Sequence, residues 1–571
     1  MNNMENMNKI TAASSLRDIG NLLQIEGENS FKARAYIVAA ESLLASALPM
    51  DKILANPTSL PGIGHDIAEI LHRLSSSGLD AVLAHANITI PRTAADLLRV
   101  PGIGPKTANR LVHAHGIVSL PDLARALESG KLEKVSGFGR DRMDRLKRDV
   151  AVLVESLHAI PIARLWPLAT QLAEEIRAVP GVQSVAVTGD ARRLVVMCPH
   201  AELVVAVDDE EPIQEWYAER DGTEEDNYTI LRVVSPNETV PVRIHTVPVE
   251  AFAPHLMRTT GDGVHQDVIE GLLRKKGIVW AVDRLTGEGG ETIQVPKEVD
   301  IYRLIGMPFL PPEVREGQGI LVQPDELVQR EDIRGDLHVH SNWSDGSMSI
   351  EEVASHAARL GYSYIAITDH SQSLSIAHGL TPERVREQRG EIERVRRLTD
   401  VKILHGTEVD ILSDGQLDLP DDVLWDLDIV VASVHSTMQQ SKTQMTERII
   451  KAIRHPAVDI IGHLTGRVIG RRFGYEVDME RILEEAYKHG VVIELNANAH
   501  RLDVSESALR QAQEMGILIS IDTDTHHEDE FDMMEYGIRM AKRGWLKKTN
   551  VLNTLPYDEL VGRLHRDRRT R

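Results

Sequence analysis

Residues 335–347 read GDLHVHSNWSDGS, and residues 517–527 read ILISIDTDTHH. Between these stretches short apolar runs recur, and nearly every one ends in a histidine or a carboxylate. Residues 337–340 (LHVH) carry His338 and His340, and 364–370 (YIAITDH) end in Asp369 and His370. Residues 401–412 (VKILHGTEVDIL) carry Glu408, 429–435 (IVVASVH) end in His435, and 458–463 (VDIIGH) end in His463. Residues 491–500 (VVIELNANAH) hold Glu494, Asn496 and Asn498, and the closing stretch ends in Asp524 and His526. Segments with apolar residues three and four apart lie between most of them, such as 348–361, 381–398 and 479–490. Alternating strand and helix predicts a parallel sheet, and seven such units close most simply into a (β/α)7 barrel. In such barrels the loops after the strands build the site.

The chain has 571 residues, a formal charge of −22 and one cysteine, Cys198. That length suggests about four domains. A lone cysteine excludes an internal disulfide framework and a cysteine-built zinc site, and beside the run LVVM it reads as inert core. No stretch approaches the roughly 20 apolar residues of a membrane span. The first residues, MNNMENMNKITAASS, lack the basic end and apolar run of a signal peptide, so a soluble cytoplasmic protein is expected. The acidic balance argues against unspecific clamping of nucleic acid, although its distribution matters more than its sum.

Residues 1–90 read as helical, with helices near 11–25, 29–46 and 65–77. SLPGIGHDIAEIL stands at the last of these, RVPGIGPKTANRLV returns at 99–112, and a looser EKVSGFGRDRMDRLK spans 133–147. A Pro-Gly-apolar-Gly hairpin between helices depends on glycine's backbone freedom and presents amide N–H groups at a helix start, a natural phosphate seat. This helix-hairpin-helix pattern predicts contact with the DNA backbone without sequence preference. The expected contacts are Gly62 and Gly64, Gly102 and Gly104 with Lys106 and Arg110, and Gly137 and Gly139. Residues 96–150 hold 11 Lys/Arg against 7 Asp/Glu, a local excess of +4.

Those motifs, in that order, resemble a bacterial family X DNA polymerase. TTGDGVHQDVIEGLLRKKGI (259–278) is similar to the family's threonine-glycine and histidine segment, VDIYRLIGMPFLPPEVREGQGIL (299–321) to its thumb, and the C-terminal part to its polymerase and histidinol phosphatase (PHP) domain. The implied organisation is multidomain: a helical domain at 1–90, a second helix-hairpin-helix domain at 91–160, an α+β nucleotidyltransferase-like palm at 161–250, a thumb at 251–325 and the PHP barrel at 331–571. The resemblance implies three divalent metal ions. His338, His340, Glu408 and Asp524 would hold the first, and Glu408 would bridge to a second completed by His435 and His463. Asp345, His370 and His526 would hold the third. Glu408, Asp524 and His435 are the implied catalytic groups. The mix of nitrogen and oxygen donors suits manganese, zinc or iron. The other histidines, His356, His378, His405, His455, His500 and His527, read as solvated or supporting, with lining of the cleft the alternative for His500. Asp369 is expected to orient its neighbours, and Arg467 and Arg501 to take a phosphate or form surface ion pairs.

Metal ions in such a cluster favour phosphoester hydrolysis. The palm departs from the family pattern. Gly189, Arg192 and Arg193 are in place, but the expected Asp-x-Asp falls on His200-Ala201-Glu202, and the third carboxylate position is Pro241. A shifted alignment would instead supply Asp208 and Asp209. Ile70 stands where lyase-active relatives carry a lysine, and Lys52 and Lys106 are not obvious substitutes. Residues 201–230 hold 11 acidic residues against one arginine. The expectation is a DNA-repair nuclease, a 3′→5′ exonuclease also acting at abasic sites in base-excision repair, on gapped, nicked, abasic or 3′-ended DNA, with its polymerase centre decayed. The alternatives are a working gap-filling polymerase with PHP proofreading, and a DNA-binding scaffold whose barrel cleaves small phosphate monoesters.

Overall fold

The computed structural model describes residues 9–27, 30–46, 50–86, 88–100, 102–132, 135, 138–155, 159–225, 227–234, 239–281 and 284–564. The chain forms two compact units: residues 1–159 with 234–238 and 471–473, and residues 160–233, 239–470 and 474–571.

The first unit is helical, with α1 (Lys9–Glu26), α2 (Ser30–Ala45), α3 (Met50–Ala55), α4 (His65–His85), α5 (Pro105–His115), α6 (Leu120–Glu128) and α7 (Arg140–Glu155). The periodicity that predicts α1, α2 and α4 passes over the short α3. One core runs from Ala12 to Leu153 through both halves of the unit. The two closest hairpins are built alike. Gly62 and Gly102 take φ +76° and +80°, a left-handed conformation that disfavours side chains. Gly64 and Gly104 are extended residues that cap α4 and α5. Between each pair sits a buried isoleucine, Ile63 or Ile103, that pins the turn to the core. Gly139 repeats the cap before α7, since its carbonyl accepts from the amide of Met143 at 2.9 Å, with Phe138 as the pin. Gly137 lies outside the described residues.

In the second unit a five-stranded sheet precedes the barrel. Its strands are β1 (Val182–Thr188), β2 (Ala201–Val207), β3 (Thr223–Glu225), β4 (Tyr228–Val234) and β5 (Thr239–Pro248), in the order β1-β2-β5-β4-β3. The helices Phe252–Thr260, Gly263–Arg274 and Glu298–Ile305 and a small antiparallel sheet follow. A buried ionic network ties these parts together. Glu298 pairs with Arg192 (2.6 Å) and with the fully buried Arg315, and Arg193 bonds the carbonyl of Thr260. From the helix Met534–Arg543, Arg539 pairs with Glu313 at 2.8 Å and donates to the carbonyls of Ala191 and Arg192. Arg543 pairs with Glu316 at 2.7 Å and donates to the carbonyl of Arg193.

The barrel strands are β6 (Gly335–Val339), β7 (Tyr364–Ile367), β8 (Lys402–Asp410), β9 (Ile429–Ser433), β10 (Ile460–Ile461), β11 (Val492–Asn496) and β12 (Ile519–Asp522), parallel and in sequential order. A bridge from Val339 to Thr525 brings β6 and the end of β12 together, with the amide of His340 donating to the carbonyl of Thr525 at 2.9 Å. Successive strand residues point to opposite faces, so alternate positions line the interior. On β8 the inward row is Leu404, Gly406, Glu408, and on β11 it is Val492, Glu494, Asn496. The apolar members pack together as the barrel floor, with Leu337, Ala366, Val431 and Ile460. The polar members follow toward the C-terminal mouth. A Cβ at Gly406 would lie 2.7 Å from Ile429 and 3.0 Å from Thr368, so only glycine fits that step.

A stability test separates the two glycine types. Added Cβ atoms at Gly102 and Gly104 meet nothing. Gly102→Ala should therefore cost about 1 kcal/mol through its backbone alone, and Gly104→Ala much less. Urea unfolding midpoints check both; equal losses would contradict the assignment.

Candidate functional site

The mouth of the barrel is organised around Glu408, whose side chain is fully buried. Its Oε1 lies 3.0 Å from His463 Nε2 and 3.2 Å from His435 Nε2. Its Oε2 lies 2.8 Å from His370 Nδ1, 3.5 Å from His338 Nε2 and 3.7 Å from His340 Nε2. Two further carboxylates join this ring of imidazoles. Asp524 Oδ1 is 3.2 Å from His340 Nε2, while Asp345 is 3.4 Å from His526 and 3.6 Å from His370.

Three overlapping groups have donor atoms close enough to share an ion: His338, His340, Glu408 and Asp524; His340, Asp345, His370 and His526; and His370, Glu408 and His435. All nine expected ligands meet in one mouth, with their sharing changed. His370 serves both outer groups and His340 joins Asp345, because parallel strand ends point both rings at the axis. His463 approaches Glu408 but falls outside these groups.

The donor set fits divalent cations. His338 Nε2, His340 Nδ1, His370 Nδ1 and both Glu408 oxygens are buried with no hydrogen-bond partner, a costly state that bound cations relieve. Burial would lower the His435 ring, but Glu408 and Asp410 outweigh it and push it up to about 10. Burial likewise opposes His526, which Asp345 drives up to about 10. His340, buried and facing His526 and His370, falls to about 3. Without ions the carboxylates therefore recruit protons onto neighbouring rings. His463 (φ +22°) and Asp524 (φ +57°) are held in the left-handed region, backbone strain of the kind that clusters at functional sites.

Around the ring stands a set of orienting groups that strand-end reading did not assign. Glu494 Oε1 bonds His338 Nδ1 at 2.6 Å and so aims Nε2 into the cluster, while its Oε2 accepts from the amide of His463. Asp410 faces His435 Nδ1 at 3.5 Å. Both lie on inward or adjacent strand positions, and that parity was the available signal. Asp369 behaves as expected, accepting from Ser341, Ser344 and Gln388. Arg467 does not face the mouth: its guanidinium holds the carbonyls of Arg501 and Leu502. His500 gives its carbonyl to the amide of Ile469.

The palm positions are arranged differently. His200 Nε2 lies 2.7 Å from Glu202 Oε1, and Arg243 lies 3.6 Å away. Burial raises the Glu202 carboxyl, but His200 and Arg243 keep it below the usual range. Ala201 is fully buried. Pro241 enters a central strand because pairing with β2 begins one residue later, at Val242 opposite Ala201. Asp208 and Asp209 are exposed beyond the other end of β2, about 20 Å from Glu202 at strand rise. Among the described residues, no group able to share a metal ion lies in this sheet.

Comparison with known proteins places these parts. Residues 7–79 match a helix-hairpin-helix domain, 94–150 a SAM-like helix-hairpin-helix tandem, 255–316 the DNA polymerase beta thumb, and 336–498 the PHP domain. The chain is 32% identical to the DNA polymerase/3′-5′ exonuclease PolX of Bacillus subtilis, over 98% of its own length and 100% of that protein's. It belongs to the PHP-bearing family X DNA polymerases. A probable phosphatase of Thermoanaerobacter sp. is 32% identical over 38% of the chain, covering 89% of that protein, and one of Vibrio parahaemolyticus is 28% identical over 39%, covering 90%. In a family X chain with this domain order, helix-hairpin-helix modules indicate DNA binding and the PHP domain a hydrolase. Among the described residues no helix is long and apolar enough to cross a membrane.

If Glu494 aims His338, Glu494→Gln should leave the fold intact and lower metal affinity about 10- to 100-fold. Metal content after dialysis against a graded chelator checks this. Unchanged retention would remove Glu494 from the site.

Proposed function

We propose that this chain is a metal-dependent DNA nuclease, trimming 3′ ends and cutting at abasic sites in base-excision repair. The observation that carries the reading is the ring of imidazoles and carboxylates around Glu408, in a barrel joined to DNA-binding modules. His338, His340, Glu408 and Asp524 would hold one ion, Glu408 and His435 with His370 or His463 a second, and Asp345, His370 and His526 a third. Manganese, zinc or iron there would supply hydroxide near neutral pH and draw charge from the phosphoryl oxygens. The protein's own part is to fix the donors: Glu494 and Asp410 set the ring orientations, and Asp369 gathers the loop 341–344. On the DNA side, amides at Gly64, Gly104 and Gly139, with Lys106 and Arg110, would seat phosphates. All five residues are exposed.

The palm, in this reading, does not polymerise. Two-metal nucleotidyl transfer needs carboxylates that hold both ions about 4 Å apart. Here Glu202 is engaged with His200 and Arg243, and Ala201 and Pro241 offer no ligand. The Bacillus relative's name favours the other reading, an active polymerase with a proofreading barrel.

Three measurements separate the readings. The double variant His338→Ala/His340→Ala should lose bound metal and cleavage of 3′-labelled DNA by more than about 100-fold, and still bind DNA. Full activity, or cleavage indifferent to chelator, would reject the nuclease. Activity on p-nitrophenyl phosphate but on no DNA would favour a monoesterase. The same double variant, offered one-nucleotide gaps with Mg²⁺ or Mn²⁺, should incorporate nothing; templated incorporation would reinstate the polymerase. Gly104→Val should loosen gapped DNA in a salt-dependent, sequence-independent way without changing metal content.

A further inference from the structure

We propose that Arg501 is a catalytic residue of the barrel, taking a non-bridging oxygen of the phosphodiester presented to the metal cluster. This rests on the reading of the barrel as a DNA phosphodiesterase. The mouth is crowded with carboxylates, namely Glu408, Asp524, Asp345, Asp410 and Glu494. A phosphodiester is itself an anion, so a fixed cation beside the ions lowers the cost of bringing it in. Among the described residues, Arg501 is the one arginine or lysine within ion-pair reach of a cluster carboxylate. Its Nε lies 3.6 Å from Asp524 Oδ2, and the other oxygen of Asp524 faces His340 and His338.

The guanidinium is both held and available. Its Nη atoms have no hydrogen-bond partner among the described residues, and the side chain is 26% exposed. The backbone beneath it is fixed on every side. The amide of Arg501 donates to the carbonyl of Asn498 at 2.7 Å, and Arg467 grips the carbonyls of Arg501 and Leu502. Leu502 takes φ +43°, and the next residue, Asp503, bonds the amide and hydroxyl of Thr465 and the amide of Asn496. Arg467 is thus spent on positioning Arg501, and the strained turn is the mount. A rigid mount with a free planar fork suits bidentate capture of a phosphate. A merely structural salt bridge would need neither the clamp beneath nor the open Nη edge.

The test uses the full chain loaded with Mn²⁺, comparing wild type with Arg501→Gln and Arg501→Lys. Metal content, kcat and KM on a 3′-labelled single strand, and binding of thymidine 5′-monophosphate are measured on each. Metal content should not change. Arg501→Gln should lower kcat/KM about 100-fold, and lysine should rescue little, because a point charge does not replace the fork. Monophosphate binding should weaken about 10-fold or more in Arg501→Gln, and added methylguanidinium should restore part of the cleavage. Wild-type kinetics and monophosphate binding in Arg501→Gln would overturn the proposal. So would lost activity accompanied by lost metal, which would mean that Arg501 acts only through Asp524. A wild-type protein that cuts no DNA would refute the nuclease reading instead, and the monophosphate comparison would still decide Arg501.

Discussion

A carboxylate fully buried with no well-aligned hydrogen bond to either oxygen is among the least favourable objects a fold can contain. Glu408 is such a group, and the barrel is arranged to make its position tenable. The five histidines that face it come from four different strand ends, each delivered by the same parallel geometry. An apolar floor of Leu404, Val431 and Ile460 excludes water from below, so relief must come from the mouth. The result is a site whose charge balance is complete only with cations or with protons. The high values of His435 and His526 and the low value of His340 describe the proton-filled state of one constellation.

The palm shows the opposite solution to the same problem. Glu202 is paired within the protein with His200 and Arg243. Arg192 and Arg193, the motif arginines, are also engaged, to Glu298 and Glu316. Arg539 and Arg543 then bond the carbonyls of Ala191, Arg192 and Arg193 at the end of the short helix Gly189–Arg192. Paired in this way, the charges stabilise an assembly of sheet, thumb helices and barrel helix. Removing one partner would strand a buried ion, a loss of roughly 3–5 kcal/mol. In the proposed reading, the same pairing leaves the palm little free charge with which to handle a triphosphate.

Much of this was legible in the residues. Strand-end histidines and carboxylates located the mouth, and the repeated Pro-Gly-apolar-Gly located the turns, because both depend on short-range backbone rules. What escaped depends on azimuth. Sequence places His370 and His463 at strand ends, yet it does not say that His370 Nδ1 comes to 2.8 Å of Glu408 and falls in two of the donor groups. Nor does it separate Arg467 from Arg501: both follow strands, and only the fold turns one onto carbonyls and the other onto Asp524. Glu494 was visible as a strand-end acid, but its role lies in a single bond across the barrel to His338.

Net charge adds a last constraint on how such a chain handles DNA. With a formal charge of −22, long-range attraction cannot be the general means of holding a polyanion. The residues from Asp208 to Glu225 present exposed carboxylates, with Arg220 stacked on Trp216, so that face repels phosphate. Backbone amides escape this limitation. At Gly64 and Gly104 they sit at helix starts with no side chain in front, where, in the proposed reading, dipole and hydrogen bond would seat a phosphate oxygen. Such a grip would read the sugar-phosphate backbone and not the bases, as the proposed action at ends and lesions requires. In that reading, attraction confined to the hairpins and repulsion from the acidic face would make DNA geometry, not bulk charge, the basis of selection.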